Sequence, residues 1–262
     1  MKKYIFMAVA GMLALSSCSN DDNDQTTQNA PRQMTFTAGF GDEAQTRAAL
    51  DDKKVRFEAG DRISILSAKN TNTDFTTTED GASVTFTGTA TADSKFYAVY
   101  PYTDGLTLDP STGIISGVTI PAVQTITSTR DWDPSAPIAY ATTEGTSLQF
   151  HNACALLKIT NDRGQATIVV GCQDALTGTF SLDTSSGTLT LSGTVTKANM
   201  QSAVLQVPYD KTIYIAIAPG MKTGFMARWY DGSNAYQKSK TSVTFEAGKI
   251  YDLGNTSAWD AN

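Results

Sequence analysis

The chain has 262 residues, with 20 Lys and Arg against 26 Asp and Glu, one His, three Cys and, by direct count, 38 Thr. That Thr load favours β structure, because β-branching restricts χ1 in a helix, while 40% hydrophobic and 18% charged residues build a core rather than a disordered coil. One His leaves little for a His-based triad or a multi-His metal site, and a net charge of −6 without a basic run argues against a nucleic-acid partner; no cofactor or metal is expected.

Lys2 and Lys3 precede the apolar stretch Tyr4 to Leu15 and then Ser16, Ser17 and Cys18, the order of a secretory signal. The stretch is too short for a permanent span. Leu15-Ser16-Ser17-Cys18 resembles the bacterial lipobox, which implies removal of residues 1–17 and lipidation of Cys18. A plain signal peptide with an incidental Cys is the alternative. Three acyl chains exceed the roughly two needed for stable anchoring. Loss of Lys2 and Lys3 leaves 18 basic against 26 acidic residues, a net charge of −8. Residues 18–33 open on Ser19-Asn20-Asp21-Asp22-Asn23-Asp24 and cannot offset the ordering entropy of a core, so they read as a tether. Asp21 to Asp24 lacks the spacing of a calcium loop. An acidic run after the lipidated Cys resembles the surface-export signal of Bacteroidota lipoproteins. It implies a lipid-anchored place on the outward face of the outer membrane, with a periplasm-facing lipoprotein as the alternative.

Period-2 alternation then recurs without capped helix-period runs. Met34-Thr-Phe36-Thr-Ala38-Gly-Phe40 sets four apolar side chains on one face of a half-buried strand. Similar segments run 62–67, 83–87, 95–100, 114–120, 147–150, 153–160, 166–171, 188–191, 203–207, 212–218, 224–230, 242–245 and 249–253, separated by turn formers such as Asp109-Pro110-Ser111-Thr112-Gly113 and Asn161-Asp162-Arg163-Gly164. So many strands exceed the seven to nine of one sandwich and predict two stacked β-sandwiches. The least periodic stretch, Thr125 to Thr146, is expected as a loop, which divides the fold into domains 34–145 and 146–262.

Cys154 and Cys172 lie symmetrically about Arg163. In a symmetric hairpin they would face each other about 4.5–5.5 Å apart, close enough for a disulfide contributing about 3 kcal/mol. Two buried thiols packed as small hydrophobes are the equal alternative.

Phe36-Thr-Ala-Gly, Thr46-Arg47-Ala48-Ala49-Leu50, Glu58-Ala-Gly-Asp-Arg-Ile-Ser-Ile65, Tyr97-Ala-Val-Tyr-Pro-Tyr102, Ile120-Pro-Ala-Val-Gln124, the run Leu148 to Ile159 and Glu246-Ala-Gly-Lys-Ile-Tyr-Asp-Leu-Gly254, together with the lipobox, resemble the fimbrillin (Mfa-like) family of Bacteroidales over essentially the whole chain. The resemblance implies tandem transthyretin-like sandwiches, export as a lipoprotein, maturation by an arginine-directed protease, and assembly with other fimbrial subunits by strand donation into surface fibres for adhesion, coaggregation and biofilm. It assigns the cut to the bond between Arg47 and Ala48, in a polar stretch of the kind proteases nick, although Arg32 and Arg130 also lie in polar segments. The cut frees the lipid, the tether and the strand carrying Met34, Phe36, Ala38 and Phe40, leaving a groove one strand wide. Fibre-forming members offer a long C-terminal donor segment, whereas only Asn255 to Asn262 follows the last apolar strand here. The donor is then that strand itself, through Ile250, Tyr251 and Leu253, or the subunit accepts a strand without giving one.

A surface glycan-binding lipoprotein is the second reading, with Trp132, Trp229, Tyr230, Tyr236 and Trp259 as an aromatic platform. Asp131 and Asp133, or Asp51 and Asp52, are acidic pairs that an enzyme could use, but they read as solvated loop charge. His151 reads as a capped or partly buried structural residue.

Overall fold

The computed structural model describes residues 30–40, 56–126 and 130–261; Cys18, Arg47 and Ala48 lie outside the described residues. The first half supplies β1 (Arg32–Phe40), β2 (Arg62–Leu66), β3 (Thr73–Thr76), β4 (Ser83–Ala90), β5 (Phe96–Tyr100), β6 (Thr107–Asp109), β7 (Ile114–Ile120), β8 (Val123–Gln124), β9 (Ala139–Thr143) and β10 (Ser147–Asn152). The second half supplies β11 (Ala155–Asn161), β12 (Ala166–Gly171), β13 (Gly178–Asp183), β14 (Thr188–Leu191), β15 (Gln201–Val207), β16 (Lys211–Ile217), β17 (Gly220–Tyr230), β18 (Ala235–Phe245), β19 (Ile250–Asn255) and β20 (Asp260–Ala261), with a short 3-10 turn at Thr256–Ala258. The all-β expectation holds.

Three cores organise these strands. The order β1-β10-β9-β5-β2-β3-β4 closes into a barrel, whose lumen is filled by Phe36, Phe75, Phe86, Phe96 and Phe150 with Ile63 and Ile65. Alanines at 38, 98, 139 and 141 share that lumen, the large and small alternation that a small barrel requires. The sheets β16-β11-β19 and β20-β18-β17-β12-β15-β8 enclose a second core, with Leu157, Ile159, Ile213 and Ile215 facing Ile168, Val170, Phe225 and Trp229. A third core gathers Leu66, Tyr97 and Val99 from the barrel's outer face, Ile115, Phe180 and Leu182 from the sheet β14-β13-β7-β6, and Ala216 with Ala218. Strands β5 and β16 serve two cores at once. Their side chains are buried on both faces, a correction to the half-buried reading of 95–100 and 212–218, since a strand covered by a core on each side has no polar face.

This arrangement corrects two further expectations and decides between the two readings of the cysteines. The 125–146 stretch contains β9, which pairs with β5 and β10. Its two alanines and two threonines gave too faint an apolar period. A division at 145/146 would separate β10 from β1 and β9 and break the β7–β13 ladder, so the halves share a sheet and a core. The disulfide is absent: Cys154 and Cys172 are free. Strand β11 pairs with β16 and β19, while β12 pairs with β15 and β17, so the turn at Arg163 crosses between sheets instead of folding a hairpin. Cys154 is packed in the third core, accepting the Ile138 N–H at 3.4 Å, and burial pushes its thiol up to about 12. Cys172 donates to the Asp174 carbonyl at 3.0 Å.

Candidate functional site

Strand β1 is the staple of the barrel. It pairs antiparallel with β4 from Arg32 opposite Ala90 to Gly39 opposite Ser83. On its other side it pairs parallel with β10, from Thr37 opposite Ser147 to Phe40 opposite Phe150. The Met34 to Phe40 alternation fixes which face enters the lumen. Phe36 and Ala38 are fully buried, and Met34 and Phe40 are partly buried against the same core. Phe36 meets Phe75 and Phe96 edge-on, with centroids 5.3 and 5.1 Å away. Phe40 stacks on Phe57 at 5.0 Å beside Phe150. The outward positions Thr35 and Thr37 lie opposite Thr87 and Thr85.

An ion cluster sits near this end of the barrel. Arg130 donates to the carboxylates of Glu58 and Asp61, and its side chain is only 12% exposed. The Tyr100 hydroxyl donates to Asp61 at 3.0 Å; burial, then the Asp61 charge, pushes that phenol well above its ordinary range. Tyr100 also packs against Phe40 and Phe57. Arg130 is therefore a fixed cation, a correction to its reading as an accessible loop arginine. Arg32 is exposed but held within the β1–β4 ladder.

The C-terminal segment is anchored more firmly than its composition suggested. Strand β19, with Ile250, Tyr251 and Leu253, is the edge of its three-stranded sheet, parallel to β11. The chain then crosses at Thr256 to the opposite sheet, where β20 pairs with Tyr236 and Gln237 of β18. The Asn161-Asp162-Arg163 turn clasps that crossing. Arg163 donates to the carbonyls of Thr256 and Ser257, both at 2.8 Å, with its guanidinium 3.5 Å over the Tyr236 ring. Asp162 accepts from Thr256 Oγ1, the Ser257 N–H and the Ser257 hydroxyl. Buried Asn161 donates to the carbonyls of Gly164, Val207 and Pro208 and accepts from Trp229 Nε1. Trp259 is buried in the second core. Sequence reasoning took 161–164 only as turn formers, since nothing in a linear pattern marks partners 94 or 95 residues away.

The proposed aromatic platform does not assemble. Trp229 and Trp259 are core residues, and Tyr236 lies edge-on to Trp229 beneath Arg163, leaving Tyr230 as the exposed ring of β17. Asp133 caps its own loop, accepting from the Thr125 and Ser135 N–H groups and the Ser135 hydroxyl, and Asp131 pairs with Lys211. His151 is exposed on β10 rather than partly buried, its ring tilted against Tyr140 at 5.9 Å.

No protein-family model and no curated protein matches the chain. Solved structures do. A Bacteroides uniformis protein provisionally assigned to cell adhesion shares 18% identity over 88% of this chain and 95% of its own, with a TM-score of 0.55. A second, from Bacteroides ovatus and assigned likewise, shares 14% identity over 89% and 96%, also with a TM-score of 0.55. At these identities the likeness establishes a common fold.

Proposed function

We propose that the protein is a structural and adhesive subunit of cell-surface fimbriae. In this reading it is exported as a lipoprotein anchored through Cys18, matured by a cut between Arg47 and Ala48, and joined to other subunits by strand exchange. One observation carries the reading: the strand bearing Met34, Phe36, Ala38 and Phe40 closes the barrel from between β4 and β10, yet downstream it connects to β2 only through the segment containing Arg47. While that segment is intact, the strand is held at the high effective concentration of a short linker. Once it is cut, the strand dissociates on dilution, exposing the backbone edges of β4 and β10 above an aromatic lumen. An unpaired apolar edge recruits a strand from another chain, so assembly waits for proteolysis. The fold shared with the two Bacteroides proteins and the fimbrillin-like motifs support the same reading.

The test is expression of wild type and Arg47→Ala in a Bacteroides host, with N-terminal sequencing of surface material and immunogold microscopy. Wild type should yield Ala48 as the new terminus and labelled fibres. Arg47→Ala should remain full length on the membrane. Fibres of normal length from Arg47→Ala would overturn the proposal.

A further inference from the structure

Resting on that reading, the geometry points to a size code for the strand that enters the vacated slot: aromatic, small, aromatic at alternate positions, with the small residue at the place of Ala38. The code follows from what surrounds each inward position. Ala38 is hemmed on four sides: Val84 lies opposite on β4, Leu148 opposite on β10, and Phe36 and Phe40 precede and follow it on its own strand face. Val84, Leu148 and Phe36 are themselves buried. Directly opposed residues in a sheet stand about 4.5–5.5 Å apart at Cβ, so a branched side chain at this position meets packed walls on both flanks. Phe36 stands opposite Phe86 and fills the space between Phe75 and Phe96 edge-on, so a small residue there leaves an aromatic-sized void. Phe40 occupies a wider mouth beside Phe57, Phe150 and Tyr100. Outward positions carry little constraint: a Cβ added at Gly39 comes no nearer than 3.5 Å to any neighbour.

The occupant is therefore an extended segment of a partner polypeptide carrying that triplet. Strand β19 of a second copy does not qualify. In one phase it offers Tyr251, Leu253 and Asn255, with Leu in the small position and an amide in the aromatic one. In the other it offers Ile250, Asp252 and Gly254, with a carboxylate where Ala38 sits. Together with the clasp on Thr256–Ala258, this makes the chain an acceptor for a strand other than its own β19.

The experiment uses the full chain treated with an arginine-specific protease, held in dilute urea so that the resident strand exchanges, then returned to buffer with fluorescein-labelled peptides. The peptides are the wild-type 32–40 sequence, its Ala38→Ser, Ala38→Leu and Phe36→Ala forms, the 249–257 sequence, and a scrambled control; retention is read by anisotropy and size exclusion. Wild type and Ala38→Ser should be retained, and Ala38→Leu, Phe36→Ala and 249–257 at least tenfold more weakly. Retention of Ala38→Leu or 249–257 as tight as wild type overturns the code while leaving strand exchange standing. Failure of the wild-type peptide itself overturns the strand-exchange reading and the code with it.

Discussion

Replacing Phe36 with Ala tests whether β1 holds the barrel shut. The ring is fully buried and touches two other rings edge-on, so truncation loses its transfer free energy and opens a cavity walled by rigid aromatics. Phe to Ala changes in such settings cost about 3–5 kcal/mol, a large part of the roughly 5–15 kcal/mol that stabilises a typical domain. With a urea slope near the upper end of about 1–3 kcal/mol per M, the midpoint should fall by about 1.5 M. Far-UV circular dichroism reports all strands, whereas tryptophan fluorescence reports mainly the second core, where Trp229 and Trp259 are buried. Because the third core joins the barrel to the second sheet pair, both signals should shift together. Thr35→Ala, on the exposed face of the same strand, should change stability by less than about 0.5 kcal/mol. A Phe36→Ala midpoint within about 0.3 M of wild type, on the same slope, would refute the role assigned to β1. A shift in dichroism alone would refute the coupling of the two halves.

Gly88 lies opposite Phe75, and an added Cβ would sit 2.6 Å from both the Asp74 carbonyl oxygen and the Phe75 ring. Gly88→Ala should therefore cost about 1–3 kcal/mol by overpacking, while Gly145→Ala, whose Cβ finds only Thr143 Oγ1 at 3.9 Å, should be near neutral in the same urea assay. Thiol titration of the native protein should leave Cys154 unreactive until unfolding, because it is buried and its thiol is pushed up to about 12; Cys172, only partly buried, should react before it, and a mass gain of two hydrogens on reduction would contradict the free thiols. For Asp162, burial pushes the carboxyl up, but hydrogen bonds from Ser257 and Thr256 outweigh it and hold it below the usual carboxylate range. A depressed folded-state value means the clasp contributes fully above the unfolded Asp value of about 3.9 and loses its contribution as pH falls through the folded value. Asp162→Asn should accordingly flatten the acid limb of stability between pH 6 and pH 2.5, measured by urea midpoints, and an unchanged acid limb would remove Asp162 from the clasp.

The sequence alone determined the all-β class and the inward face of β1, because a period of two decides which side chains share a face whatever the strand pairs with. The runs of β5 and β16 group by sequence with the half-buried alternating strands, and only the cores on either side of them show that they are buried on both faces. Tertiary structure alone decided the partners. Cys154 and Cys172 have the symmetric spacing of a hairpin, yet their strands enter opposite sheets, because the turn at Arg163 binds a segment more than 90 residues later instead of folding back. Arg130 looked like an exposed loop cation until Glu58 and Asp61, about 70 residues upstream, closed around it. Alternation is a local property of the backbone, whereas pairing depends on contacts between segments far apart in the chain. The composition of a strand therefore shows its two faces, and only the fold shows what each face meets.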